Sequence, residues 1–147
     1  MREQAIRSTF PALDPVDFRL TSPQTPAYNC IAYAAGDHRR WWWPDPDGIC
    51  YWPPGVQRTV RFQAFQHAFE TLGYRLSSDE SLVTGREKIA IFANGREPTH
   101  AAKQLASGLW SSKLGRLEDI SHNLLGVENQ EYGELAFIME RTIRVTL

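Results

Sequence analysis

Between Lys88 and Lys113 the chain alternates in a way that suits extended backbone. Lys88-Ile89-Ala90-Ile91-Phe92-Ala93 predicts a largely buried strand, Asn94-Gly95 a turn, and Thr99 to Leu105 a second strand. Ser107-Gly108 then predicts a tight turn, and Leu109 to Leu114 a third strand, so an antiparallel meander is expected. Upstream, Phe62, Phe65, Phe69 and Leu72 recur at helical spacing with Ala68 on the same stripe, which predicts an amphipathic helix over 59–72 stopped by Gly73. That stripe reads as core, and His67, which falls off it, as a surface histidine. Cys30 to Ala35 predicts a short helix with Asn29 as N-cap and Gly36 as its stop. Residues 1–28, broken by Pro11, Pro15, Pro23 and Pro26, predict an extended lead-in that wraps the domain. Leu117 to Leu125 predicts a short helix with Glu118 and Asp119 in its first turn, and Glu134 to Val145 one or two closing strands.

Length and composition narrow this pattern to one domain. At 147 residues and 42% hydrophobic, the chain can bury one substantial core and is too short for two, so residues 1–147 are expected to form a single α+β domain. The formal net charge of -1, with both signs scattered evenly, supplies no field to hold a nucleic-acid backbone or an anionic membrane. Arg39 and Arg40 beside the tryptophans are offset by Asp37, Asp45 and Asp47, which ranks nucleic-acid binding last. The two cysteines, Cys30 and Cys50, and the lack of a signal-peptide pattern or a long apolar run predict a cytoplasmic protein with no membrane span. Oligomeric state is not encoded in any of these features.

Chemistry enters at Cys30. A thiol in the first turn of a helix meets unsatisfied N–H groups and the positive end of the helix dipole, which predicts a pKa below the free value of about 8.5. Against this stands the bland role of a small buried hydrophobe. An imidazole from another element would complete a nucleophile, and His100, in the middle of the predicted sheet, is the candidate; a hydrogen-bonded core histidine is the equal alternative. His38 and His122 fall in loop and surface-helix contexts. With a two-residue turn at Ser107-Gly108, His100, Ala102, Gln104, Ser111 and Lys113 share a face of the sheet; a longer turn or bulge brings Ser112 there instead. Ser112, Lys113 and Asp119 are therefore all candidates to orient His100. Lys113 could also favour a Cys30 thiolate by its charge, or lie along an exposed edge.

A helix opened by cysteine, a long connection, then a meander with a strand histidine and a polar residue in the next strand resembles the papain-like fold, in particular its compact NlpC/P60-type branch of peptidases and amidases. The resemblance covers roughly 24–115. It implies N-terminal helices packed on an antiparallel β-meander, and a peptide or protein substrate. Gln24, six residues before Cys30, is similar in spacing to the oxyanion-hole glutamine of papain-type enzymes. Asn29 stands where NlpC/P60 proteins usually carry aspartate. The sequence departs from that family in lacking an Asp-Cys-Ser-Gly signature, a small residue directly before His100, and a His or Asn as third triad member. The Tyr28 to Ala34, Trp-Trp-Trp-Pro, Tyr-Trp-Pro-Pro-Gly and Ser-Ser-Lys-Leu-Gly segments also resemble a group of small bacterial proteins of unassigned function.

The expected activity is a cysteine-dependent hydrolase or acyltransferase acting on an amide or isopeptide bond, with Cys30 as nucleophile and His100 as base, and no cofactor. The competing expectation is a non-catalytic peptide-, glycan- or protein-binding module built on the Trp-rich loop 41–55. In that loop Trp41, Trp42 and Trp43 form either a flap over the core or the wall of a cleft. Metal binding by Cys30, Cys50, His38, His100 and His122 is weak, because no spacing gathers them. A Cys30–Cys50 disulfide is a further alternative outside a reducing compartment.

Overall fold

A computed structural model describes residues 2–143. Its elements run α1 (Arg2–Thr9), β1 (Arg19–Leu20), α2 (Cys30–Ala35), α3 (Phe62–Glu70), β2 (Arg75–Ser77), β3 (Arg86–Asn94), β4 (Glu97–Gln104), β5 (Trp110–Lys113), β6 (Asp119–His122) and β7 (Glu134–Thr142), with a 3₁₀ turn at Leu124–Val127 between the last two strands. The strands form one seven-stranded sheet in the order β1-β6-β5-β4-β3-β7-β2, antiparallel at each pairing. Strands β3 to β5 are the expected meander, β6 extends it by one strand, and β7 folds back beside β3. The expected strand over Glu134 to Val145 ends at Thr142, and Val145 lies outside the described residues.

The strand alternation gives the sheet two covered faces. On one, Ile89, Ile91, Ala101 and Met139 pack with Cys30, Ile31 and Tyr33 of α2, with Phe65 and Phe69 of α3, and with Trp42 and Trp52. On the other, Ala90, Phe92, Ala102, Trp110, Ile120 and Ile138 are covered by Ile6, Phe10, Leu13 and Phe18. Each fully buried aliphatic or aromatic side chain contributes about 1.5–3 kcal/mol, so both layers are needed to hold the sheet.

Three expectations are corrected. The N-terminal lead-in is not extended throughout: no proline falls in Arg2–Thr9, and burying Ile6 under the sheet stabilises a helix there. The helix expected over Leu117 to Leu125 is largely a strand. Asp119-Ile120-Ser121-His122 alternates between the two faces, all four residues are buried, and pairing with β5 on one side and β1 on the other outweighs a weak helical pattern. The β4–β5 turn is longer by one residue than two. Leu105 N–H donates to Leu109 O at 2.8 Å, and Gly108 takes the left-handed conformation at φ 91° that a three-residue turn requires. The resulting register, Lys103 opposite Ser111 and Gln104 opposite Trp110, puts Ser112 on the face of His100 and sends Ser111 and Lys113 to the face of α2.

Candidate active site

Helix α2 is short and firmly closed at both ends. Asn29 Oδ1 accepts from Ala32 N–H at 3.1 Å, and the N–H of Gly36, at φ 88°, returns to Ala32 and Tyr33 carbonyls. Five of its six residues are buried, Cys30 among them. The pairing of β4 with β5 covers Lys103 and Gln104, and Ala101, two residues earlier in β4, packs in the same core layer as Cys30. The N–H groups of Ala101, Ile31 and Cys30 itself, and the charge of Lys113, all favour a thiolate. Burial outweighs them and pushes the thiol up to about 11. The helix start therefore does not give the lowered pKa expected of it. Cys30 is thus a neutral thiol near pH 7.

On the other face a chain of hydrogen bonds runs across three strands. His100 Nε2 lies 3.0 Å from Ser112 Oγ, Ser112 Oγ 2.7 Å from His122 Nε2, and His122 Nδ1 2.7 Å from Asn123 O. A carbonyl only accepts, so His122 carries its proton on Nδ1 and its Nε2 accepts from the Ser112 hydroxyl. Ser112 Oγ is then left to accept from His100 Nε2–H. The proton positions follow from one another, and His100 Nδ1 is left as a bare lone pair, buried and without a partner. Burial drives both imidazoles toward the neutral form, His100 well below the ordinary histidine value with a further push from His122, and His122 down to about 4 against the pull of Asn123 O.

Cys30 and His100 approach the same peptide unit from its two sides. Ala101 belongs with Cys30 in one core layer, whereas His100 stacks on Tyr132 (centroids 4.0 Å apart, planes 10° apart) and meets Phe92 in the other. Burial first, and then the charge a Cys30 thiolate would carry, raise the Tyr132 phenol. No hydrogen bond joins Sγ to either ring nitrogen, and neither residue lines an open cavity among the described residues. Tyr132 does line one, of about 410 Å³, together with Trp43, Val60, Pro98 and Thr99. Its half-buried ring thus separates that cavity from His100.

The remaining expected site residues are occupied elsewhere. Gln24 is exposed and helps to hold the Glu118 carboxylate, which pairs with Arg2 at 2.8 Å, in its charged form; it makes no contribution at Cys30. Asn29 engages both amide atoms with backbone, Oδ1 with Ala32 and Trp42 N–H and Nδ2 with Trp42 O, which makes it a buried clamp for the Trp-rich loop. Lys113, fully buried, donates to the carbonyls of Thr25, Gly115 and Leu117 and so ties the N-terminal segment to the β5–β6 turn. It neither orients His100 nor lies along an exposed edge. Asp119 takes the Tyr28 hydroxyl at 3.1 Å on the α2 face, away from His100. Trp42 is buried and donates to Asp37 at 2.9 Å; Trp41, half-buried, donates to Pro26 O at 2.7 Å. Trp43 alone of the three lines the cavity beside Tyr132, its ring edge-on to Phe65. Cys30 and Cys50 are both free thiols, and among the described residues no three His, Cys, Asp or Glu side chains gather as a metal site.

His122 and Tyr132 were not legible as site residues. The alternation Asp119-Ile120-Ser121-His122 carried a signal for His122, whereas nothing around Tyr132 announces a ring stacked on a strand 32 residues earlier.

Fold and site together define an α+β protein with a cysteine on a buried helix start and a histidine held by a serine–histidine relay in the sheet behind it. The chain belongs to the family described as "Domain of unknown function (DUF7689)", which matches residues 19–140. Nothing among curated proteins or solved structures matches it. None of the helices described is long and apolar enough to cross a membrane.

Proposed function

We propose that this protein is a cysteine-dependent acyl-transfer enzyme of papain-like design, a hydrolase or acyltransferase for amide or isopeptide bonds, held here in a closed state. The observation that carries this reading is the bare Nδ1 of His100. A buried imidazole whose Nε2 is fixed by Ser112 and whose other nitrogen is left unpaired costs about 1–3 kcal/mol, which a purely structural histidine has no reason to sustain. The thiol it would serve, Cys30, packs with the next residue of the strand, Ala101, on the opposite face of β4.

The reaction first requires an opening that brings Cys30 Sγ and His100 Nδ1 to one side of β4, since they now lie on its two faces; Sγ then attacks the carbonyl carbon while its proton passes to Nδ1. The Ser112 oxygen, already accepting from Nε2–H, stabilises the imidazolium that forms. The Ala101 and Ile31 N–H groups, which favour the Cys30 thiolate, would support the sulfur as it sheds its proton. His100 then protonates the leaving amine, and water or a second amine resolves the thioester with His100 again as base. Access is from the cavity beside Trp43, with displacement of the Tyr132 ring. No carboxylate touches the relay, so the resting pair is a neutral thiol and a neutral imidazole.

The test uses p-nitrophenyl acetate as acyl donor, with intact mass and peptide mapping to locate the acetyl group. Acetylation of Cys30 is expected, absent in Cys30→Ser. It should be slowed at least tenfold, about 1.4 kcal/mol, in His100→Gln, whose amide nitrogen can keep the Ser112 bond while the base is lost. Unmodified Cys30, or equal rates in wild type and His100→Gln, would refute the proposal. A second reading, a binding module, draws on the closure of the site: Cys30 is only 7% exposed and His100 0%. Its test is Trp43→Ala, which under that reading abolishes binding to a peptide array, with circular dichroism to verify the fold, while Cys30 stays unacetylated in wild type and variant alike.

A further inference from the structure

An apolar cleft on the α2 face lies at the other end of that helix from Cys30. It encloses about 580 Å³ between the C-terminus of α2, Tyr74, the 82–85 loop and the ends of β3, β4 and β7. Its apolar walls are Tyr74, Leu82, Val83, Leu105 and Ile143, and Leu82 and Ile143 stand 50% and 42% exposed at its rim. Four cations border it, and three are neutralised in place. Arg86 pairs with Glu140 at 3.2 Å, Lys88 with Asp79 at 3.5 Å, and Arg141 with Glu87 at 2.7 Å.

Lys103 is different. It makes no hydrogen bond and no ion pair among the described residues; its Nζ rests 4.1 Å from the centroid of the Tyr33 ring, which the Ser111 hydroxyl fixes at 2.6 Å. A half-buried ammonium with only a π face beneath it retains unused donors and a residual positive charge. Burial pulls it below the ordinary lysine value, opposed by the more distant Asp119 and Glu87, which is the response of a charge short of a close partner.

We infer that this cleft is a binding site for a small monocarboxylate with an apolar body, its carboxylate on Lys103 Nζ and its body against Tyr74, Leu82, Val83 and Ile143. The occupant follows from complementarity. A single unpaired cation selects a single negative charge, and the volume matches the range of small-ligand pockets. A phosphate or dianion would find only one free donor group, because the three neighbouring cations are already paired.

Octanoate is the probe, titrated by calorimetry and by methyl NMR on the full chain, with octanamide as its uncharged counterpart. Octanoate should shift the methyl signals of Leu82, Val83 and Ile143 and bind at least tenfold more tightly than octanamide. Lys103→Met should remove that preference while keeping the stem's packing, and Leu82→Asp, at a rim position that tolerates charge, should abolish binding without loss of fold. Equal binding of octanoate and octanamide, shifts outside the cleft, or unchanged affinity in Lys103→Met or Leu82→Asp would overturn the inference. Because the readout is binding at residues remote from Cys30, its outcome is independent of the thiol chemistry.

Discussion

Ser112→Ala removes one oxygen and strands two imidazoles. The hydroxyl donates to His122 Nε2 at 2.7 Å and accepts from His100 Nε2 at 3.0 Å, and all three side chains have 0% exposure, so water cannot replace it without opening the sheet. Each buried polar group left without a partner costs about 1–3 kcal/mol, which places the loss near 2–6 kcal/mol for the two together. Urea unfolding at pH 7.5, followed by tryptophan fluorescence, measures it directly. Ser111→Ala is the matched control. It sits one residue away on the opposite face and breaks only the 2.6 Å bond to the Tyr33 hydroxyl, so a loss of about 1 kcal/mol is expected. The histidine tautomers provide a second readout: long-range nitrogen NMR should find the proton on Nδ1 of His122 and on Nε2 of His100. A Ser112→Ala variant within 1 kcal/mol of wild type, or the opposite tautomer at His122, would refute the relay as drawn.

Acid should unfold the protein early. Burial holds His122 at about 4 in the fold against 6.5 when exposed, and His100 is shifted the same way. Below pH 6.5 the unfolded chain therefore binds protons that the native state refuses. Stability is complete above that pH and falls as the pH drops toward 4, by about 3 kcal/mol from His122 alone; a flat urea midpoint between pH 7 and 5 would contradict this. Lys113→Met strands the carbonyls of Thr25, Gly115 and Leu117, so a destabilisation of about 2–5 kcal/mol is expected, with faster proteolysis of the 21–28 segment as the check. Gly133→Ala combines a left-handed φ of 74° with a Cβ driven into the Ala93 carbonyl beside the β3–β7 bulge; a loss of about 3 kcal/mol or more, or failure to fold, should appear in a thermal melt.

Local chemistry made several parts of this molecule legible from sequence. The α2 caps follow from Asn29 and Gly36, the core stripe of α3 from the phenylalanine spacing, and the meander of β3 to β5 from alternation and turn residues, because each depends on neighbours within a few positions. The α+β class followed from the same signals. Where a strand needed a distant partner, the pattern failed: β6 was misread because its extended form is stabilised by β5 and β1, and the N-terminal helix because Ile6 gains its stability from a sheet built a hundred residues later. One residue in the length of a turn decided that Ser112 and not Lys113 would meet His100.

Electrostatics also belonged to the tertiary structure. Sequence placed Cys30 at a helix start and so pointed to an acidic thiol, but the depth of burial, which outweighs every nearby N–H and the charge of Lys113, could be set only by how α2 docks on β4 and β5. The chain by itself determined which residues could do chemistry and the elements that carry them. Packing decided which of them face one another and which are charged, because desolvation and strand register are properties of surfaces that come together, not of neighbours along the polymer.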